Sequence, residues 1–70
     1  MTVTPERIES AMVMLCAMTV EDIADARGMD IQTVYNEFRR SLTFKMLFDK
    51  ETGLWENGPT YIAEEYAEIG

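Results

Sequence analysis

Thr19-Val20-Glu21-Asp22-Ile23-Ala24-Asp25-Ala26-Arg27-Gly28-Met29-Asp30-Ile31-Gln32-Thr33-Val34-Tyr35-Asn36-Glu37-Phe38-Arg39-Arg40 is the stretch that decides the fold. Thr19 followed by Glu21 and Asp22 reads as a helix start, a hydroxyl cap with acids in the first turn where the helix dipole favours them. Ile23, Ala24 and Val20 face inward. Gly28 supplies the left-handed stop that follows a helix end. Asp30 caps a second helix, Ile31 to Arg40, whose buried stripe is Ile31, Val34, Tyr35 and Phe38. A short helix, a glycine turn and a second helix over these twenty-two residues resemble a helix-turn-helix unit.

Working outward, Thr4-Pro5 opens an earlier helix, with Thr4 as cap and Pro5 at the position that needs no backbone N–H. Ile8, Met12, Leu15 and then Met18 or Thr19 form one apolar stripe, while Val13 and Ala17 add a second apolar face. Two such faces predict a central, enclosed helix; left exposed, the second would be a dimer contact. Ser41 caps a segment from Leu42 to about Lys50, carrying Leu42, Phe44, Met46, Leu47 and Phe48, and Glu51-Thr52-Gly53 breaks it. In the stretch 54–62, Asn57-Gly58 is a hairpin signal and Pro59 a helix opener. The favoured reading is an extended Leu54-Trp55, a turn, then a last helix from about Pro59 to Glu68. The expected fold is all-α: one domain over residues 1–70, a compact bundle of four to five short helices with a helix-turn-helix-like pair.

Seventy residues with thirteen acids, six bases, no histidine and one cysteine narrow the chemistry. A lone cysteine makes no intramolecular disulfide, and without histidine a structural zinc site is excluded. No metal and no cofactor are expected. Cys16, the one nucleophile candidate, lies in an apolar helical run with no imidazole to activate it. Carboxylate pairs such as Glu21 with Asp25, or Glu64 with Glu68, sit at solvated i,i+4 positions. Asp49-Lys50-Glu51-Thr52-Gly53 fails as a calcium loop: its glycine comes one residue early and its twelfth position is Thr60. No catalytic residue is assigned, and the chain is expected not to be an enzyme. The apolar run 11–18 is too short to span a bilayer, and Glu6 and Glu9 ahead of it are wrong for a signal peptide. A soluble, cytoplasmic protein is expected.

Charge is unevenly placed. Residues 1–37 carry seven acids and two bases, residues 38–50 four bases and one acid, and residues 51–70 five acids and no base. Two acidic ends of −5 thus flank a +3 segment. The helix-turn-helix resemblance places Gln32, Thr33, Asn36, Arg39 and Arg40 on the outer face of a recognition helix, with side chains suited to adenine and guanine edges. Four clustered bases support only weak phosphate binding unless a dimer doubles them. The opposite use of charge is nucleic-acid mimicry, which requires Glu21, Asp22 and Asp25 to converge with Glu64, Glu65 and Glu68. A sphere of this mass, ~28 Å across, would have to match about 16 phosphate charges on a duplex of that length.

Leu47-Phe48-Asp49, Leu54-Trp55, Gly58 and Tyr61-Ile62-Ala63-Glu64 are similar in spacing to a small bacterial family known as domain of unknown function 3791. Cys16, Val34-Tyr35-Asn36 and Phe38 fit its earlier part, and the resemblance covers roughly residues 9–66. Trp55 stands where that family usually has histidine, so a role resting on that imidazole does not carry over. The resemblance implies a small accessory protein of bacteria and their mobile elements, some members lying beside toxin-like genes. Together with the acidity, it leads to an expected function: a non-enzymatic protein, monomer or homodimer, docking on a basic protein surface, such as the nucleic-acid-binding site of a toxin or defence complex, as an antidote-like or anti-defence (anti-CRISPR-like) inhibitor. A helix-turn-helix DNA-binding regulator is the alternative. Trp55 reads as closing the core, with an interface anchor as its other use; Met12, Met14 and Met18 read as core filling, with an adaptable binding surface as theirs.

Overall fold

A computed structural model describes residues 4–70 and is all-helical. Helix α1 spans Pro5–Arg27, α2 Ile31–Phe38, α3 Leu42–Leu47 and α4 Pro59–Ile69, with single 3₁₀ turns at Lys50–Thr52 and Leu54–Glu56. The local signals act as the sequence predicts. Thr4 Oγ1 accepts the Arg7 N–H at 3.3 Å, Asp30 Oδ2 the Thr33 N–H at 3.3 Å, and Ser41 Oγ the Phe44 N–H at 3.1 Å. Gly28 (φ +63°) closes α1 with Met29 N–H on the Ala24 carbonyl at 2.9 Å and Gly28 N–H on that of Asp25, a Schellman arrangement.

The expected break at Thr19 is overturned: α1 runs through it without interruption. A cap needs an extended backbone, whereas Met12, Cys16, Thr19, Val20 and Ile23 continue one stripe at spacings of three and four. Keeping the turn helical buries all five. The helix-turn-helix-like pair is therefore the last two turns of a 23-residue helix, about 34 Å long, with α2 folded back against it.

That length shapes the molecule. The extents are 39 × 19 × 18 Å, drawn out along α1, while the radius of gyration of 11.8 Å remains close to that of a compact chain of this length. The core gathers on one side of α1, where Cys16, Val20, Ile23 and Ala24 meet Val34, Phe38, Leu47, Leu54 and Ile62. Phe38 is its centre, fully enclosed, with Phe44 and Tyr66 edge-on at 5.9 and 5.2 Å between centroids. The expected burial of the second α1 face is also overturned, with Val13 60% and Met14 64% exposed. Three short helices and two turns cover one side of a helix this long and leave the other bare. Met18 is exposed too, so of the three α1 methionines only Met12 fills the core. On α2, Val34 and Phe38 are buried but Ile31 and Tyr35 lie outside, because an eight-residue helix turns a single narrow stripe inward.

Among the described residues there is no strand. Leu54-Trp55, expected to be extended, forms a 3₁₀ turn, and Asn57-Gly58 makes no hairpin. Helix α3 ends at Leu47, short of the expected Lys50, and the chain is then held by side chains. Thr52 Oγ1 lies 2.5 Å from the Met46 carbonyl and 2.9 Å from that of Asp49, while accepting the Leu54 N–H. Asp49 accepts the Glu51 N–H, and Gly53 takes φ +70°. Trp55, half-buried against the core, donates its indole N–H to the Lys50 carbonyl at 3.1 Å. No described helix is long and apolar enough to cross a membrane.

Candidate functional site

Helix α4 opens at Pro59 beyond Gly58 and packs along α1, with Ile62 fully buried in the core. This pairing creates an open groove of about 500 Å³ between the two helices. Ile23, Ala26, Ala63 and Ala67 give it an apolar lining with Thr60 beside them, and Asp22, Asp25 and Glu64 are its carboxylates. Arg27 shares the groove, but its guanidinium stands 5.7 Å from the Tyr66 ring centroid. A second hollow of about 560 Å³ adjoins at the Gly28 corner, where Glu21 joins Asp22 and Asp25 beside Met29 and Ile31.

Four of the six acids singled out in the sequence therefore share one continuous surface: Glu21, Asp22, Asp25 and Glu64. With Arg27 it carries a net charge of −3. Glu65 and Glu68 line neither hollow; Glu65 is half-buried and Glu68 exposed on another part of α4. The expected convergence of all six is corrected to a convergence of four. Thr60, Ala63, Glu64 and Ala67 line the groove along the edge of α4 beside α1; Glu65 is turned about 100° from Glu64, and Glu68, near the phase of Glu64 but one turn on, does not reach the groove.

The alternative set is arranged differently. Gln32, Thr33, Asn36, Arg39 and Arg40 are all exposed at and after α2, and Gln32 Nε2 donates to Asn36 Oδ1 at 3.3 Å. Arg39 caps the C-terminus of α2, and Arg40 follows in the turn to Ser41. The acidic corner of Glu21, Asp22 and Asp25 meets the N-terminal end of this helix at Ile31. Negative charge thus stands at the end that a helix-turn-helix reader would insert into the major groove of a polyanion.

A third surface grows from the second apolar face of α1, which the sequence offered as a dimer contact if left exposed, and joins it to α2 and α3. Val13, Ala17, Ile31, Gln32, Tyr35, Phe44 and Phe48 wall an apolar groove of about 320 Å³ between α1, α2 and α3, with Cys16 and Val20 at its base. Burial raises the Cys16 thiol above its ordinary pKa, opposite to the activation a nucleophile needs. The signal for this groove was the second apolar face of α1, whose exposure depends on how much of the helix its neighbours reach. Among the described residues, no three His, Cys, Asp or Glu side chains come together as a metal site. No family model, curated protein or solved structure matches the chain.

Proposed function

We propose that this chain is a small non-enzymatic binding protein that docks on a basic protein surface through the α1/α4 acidic groove, as an antidote-like or anti-defence inhibitor does. The observation that supports this reading is the meeting of Asp22 and Asp25 on α1 with Glu64 on α4, about forty residues later in the chain, on one open groove with an apolar lining. Such a surface offers carboxylates for Arg or Lys and small residues for the aliphatic stems of those side chains. Long-range mimicry of a nucleic acid is a poorer fit. A duplex as long as this molecule's 39 Å axis carries about 23 phosphate charges, against thirteen carboxylates in the whole chain. The groove engages a local basic patch instead.

The test is affinity capture from the native cell followed by binding measurements with the purified partner. A basic partner is expected, with Asp22→Lys/Asp25→Lys/Glu64→Lys weakening binding more than tenfold, about 1.4 kcal/mol, and flattening its salt dependence. Reversal at Glu65 and Glu68, outside the groove, should do less. A partner without a basic surface, or binding indifferent to the triple reversal, removes the proposal. The exposed row Gln32, Thr33, Asn36, Arg39 and Arg40 supports the second reading, a helix-turn-helix regulator. That reading requires a low-salt gel shift lost in Arg39→Ala/Arg40→Ala; no shift at micromolar protein ends it.

A further inference from the structure

The apolar groove between α1, α2 and α3 does not stop at Val13. It continues along α1 as a bare face of Glu6, Glu9, Ser10, Val13, Met14 and Ala17, the two sharing Val13 and Ala17. From Glu6 to Glu21 the trough follows α1 for about 22 Å, four helical turns. Its middle is apolar: Val13 (60% exposed), Met14 (64%) and Ala17 on one side, Ile31 (53%), Tyr35 (40%) and Phe48 (37%) on the other. Unpaired apolar surface of this extent on a chain of 70 residues marks an interaction site. Met14, unbranched and polarizable, suits a surface that adapts to its occupant. Every charged residue lining the trough is an acid, with Glu6 and Glu9 at one end, Glu21 at the other and no base among them.

We infer that this trough binds an amphipathic α-helix of about 15 residues from a partner protein, apolar along one face and carrying Lys or Arg at both ends. Apolar anchors three and four residues apart enter between Val13, Ala17, Ile31, Tyr35 and Phe48, and the terminal cations meet Glu6, Glu9 and Glu21. The same charges disfavour a second copy of this chain. Two α1 helices laid antiparallel about Val13–Ala17 would set Glu9 against Glu21 of the other copy, and a parallel pair would set each acid against itself. The trough touches the acidic surface at Glu21 and Ile31, which also line the hollow at Gly28, but shares no lining residue with the α1/α4 groove itself, and the inference does not rest on the function proposed for that groove.

The probe is a synthetic peptide of about 17 residues, with Leu at helical spacing between Ala and three Lys at each end. Controls are a Glu-ended version and a scramble of the Lys-ended one. Titration into the ¹⁵N-labelled full chain at 0.15 M salt should give saturable shifts centred on Val13, Ala17, Ile31, Tyr35 and Phe48. The Lys-ended peptide should bind at least about tenfold tighter than either control. Ala17→Lys, an exposed change that retains the far-UV helix signal, should abolish the shifts. Glu64→Lys, on α4 and outside the lining of the trough, should leave them in place and the affinity within about threefold. The inference is overturned if there is no saturable shift at about millimolar peptide, equal binding of the Glu-ended or scrambled peptide, or shifts centred on Asp22, Asp25 and Glu64. It is also overturned if sedimentation shows a dimer that Ala17→Lys dissociates, since the trough then belongs to a second copy.

Discussion

Two threonines, Thr19 and Thr43, are each completely enclosed, and the same substitution should move stability in opposite directions at the two sites. Thr19 Oγ1, inside α1, has no hydrogen-bond partner, and a buried hydroxyl left unpaired costs about 1–3 kcal/mol. Thr19→Val replaces the hydroxyl with a methyl of similar shape at nearly equal helix propensity, so a gain of about 1 kcal/mol is expected. Thr43 Oγ1 donates to the main-chain oxygen of Gly70 at 3.1 Å. Thr43→Val removes that bond. The acceptor keeps the Thr43 N–H at 3.0 Å, so the loss is the net value of one hydrogen bond, about 1 kcal/mol. The gap between the variants is then about 2 kcal/mol. With m near 1 kcal/mol/M for so small a domain, their urea midpoints should differ by about 2 M at unchanged m. A destabilised Thr19→Val would refute the reasoning, by showing that its hydroxyl is satisfied, for example by the carbonyl one turn back. Shifts of the same sign at both sites would refute it equally.

Other outcomes follow from the same geometry. Gly28→Ala places a Cβ that meets nothing within 4 Å, so only the strain of φ +63° acts; a loss of about 1 kcal/mol should lower the melting temperature by about 4–8 °C. Phe38→Ala empties the centre of the core at a cost of about 3–5 kcal/mol. Total stability for 70 residues is only about 3.5–10 kcal/mol, so circular dichroism should show the cooperative melt largely lost at 37 °C. Burial holds the Cys16 proton in the folded state after the unfolded thiol releases its own near pH ~8.5, so this residue's contribution to stability falls as pH rises above that value. Urea midpoints of wild type and Cys16→Ala compared at pH 7 and pH 10 should show a steeper decline in the wild type.

What the sequence determines by itself here is local. Thr4, Asp30 and Ser41 cap because each side chain bonds the backbone N–H three residues on, and Gly28 and Gly53 turn because glycine accepts positive φ without strain. Those signals need no partner, and the helical class follows from them. Thr19 shows their limit. Its cap signature is genuine, but the stripe it belongs to is buried only if α1 stays straight, and burial of five residues outweighs one cap. Tertiary structure also decided which apolar face was covered. Val13 and Met14 look no less apolar in sequence than Met12 and Cys16, but the elements after α1 reach only one side of a helix about 34 Å long. The candidate site has the same origin. Asp22 and Asp25 are one turn apart on α1 in any helical reading, whereas Glu64 joins them because Ile62 enters the core and so fixes the phase of α4 against α1. Of the acids at the two ends of the chain, Glu21, Asp22, Asp25 and Glu64 come to share one surface only through that contact.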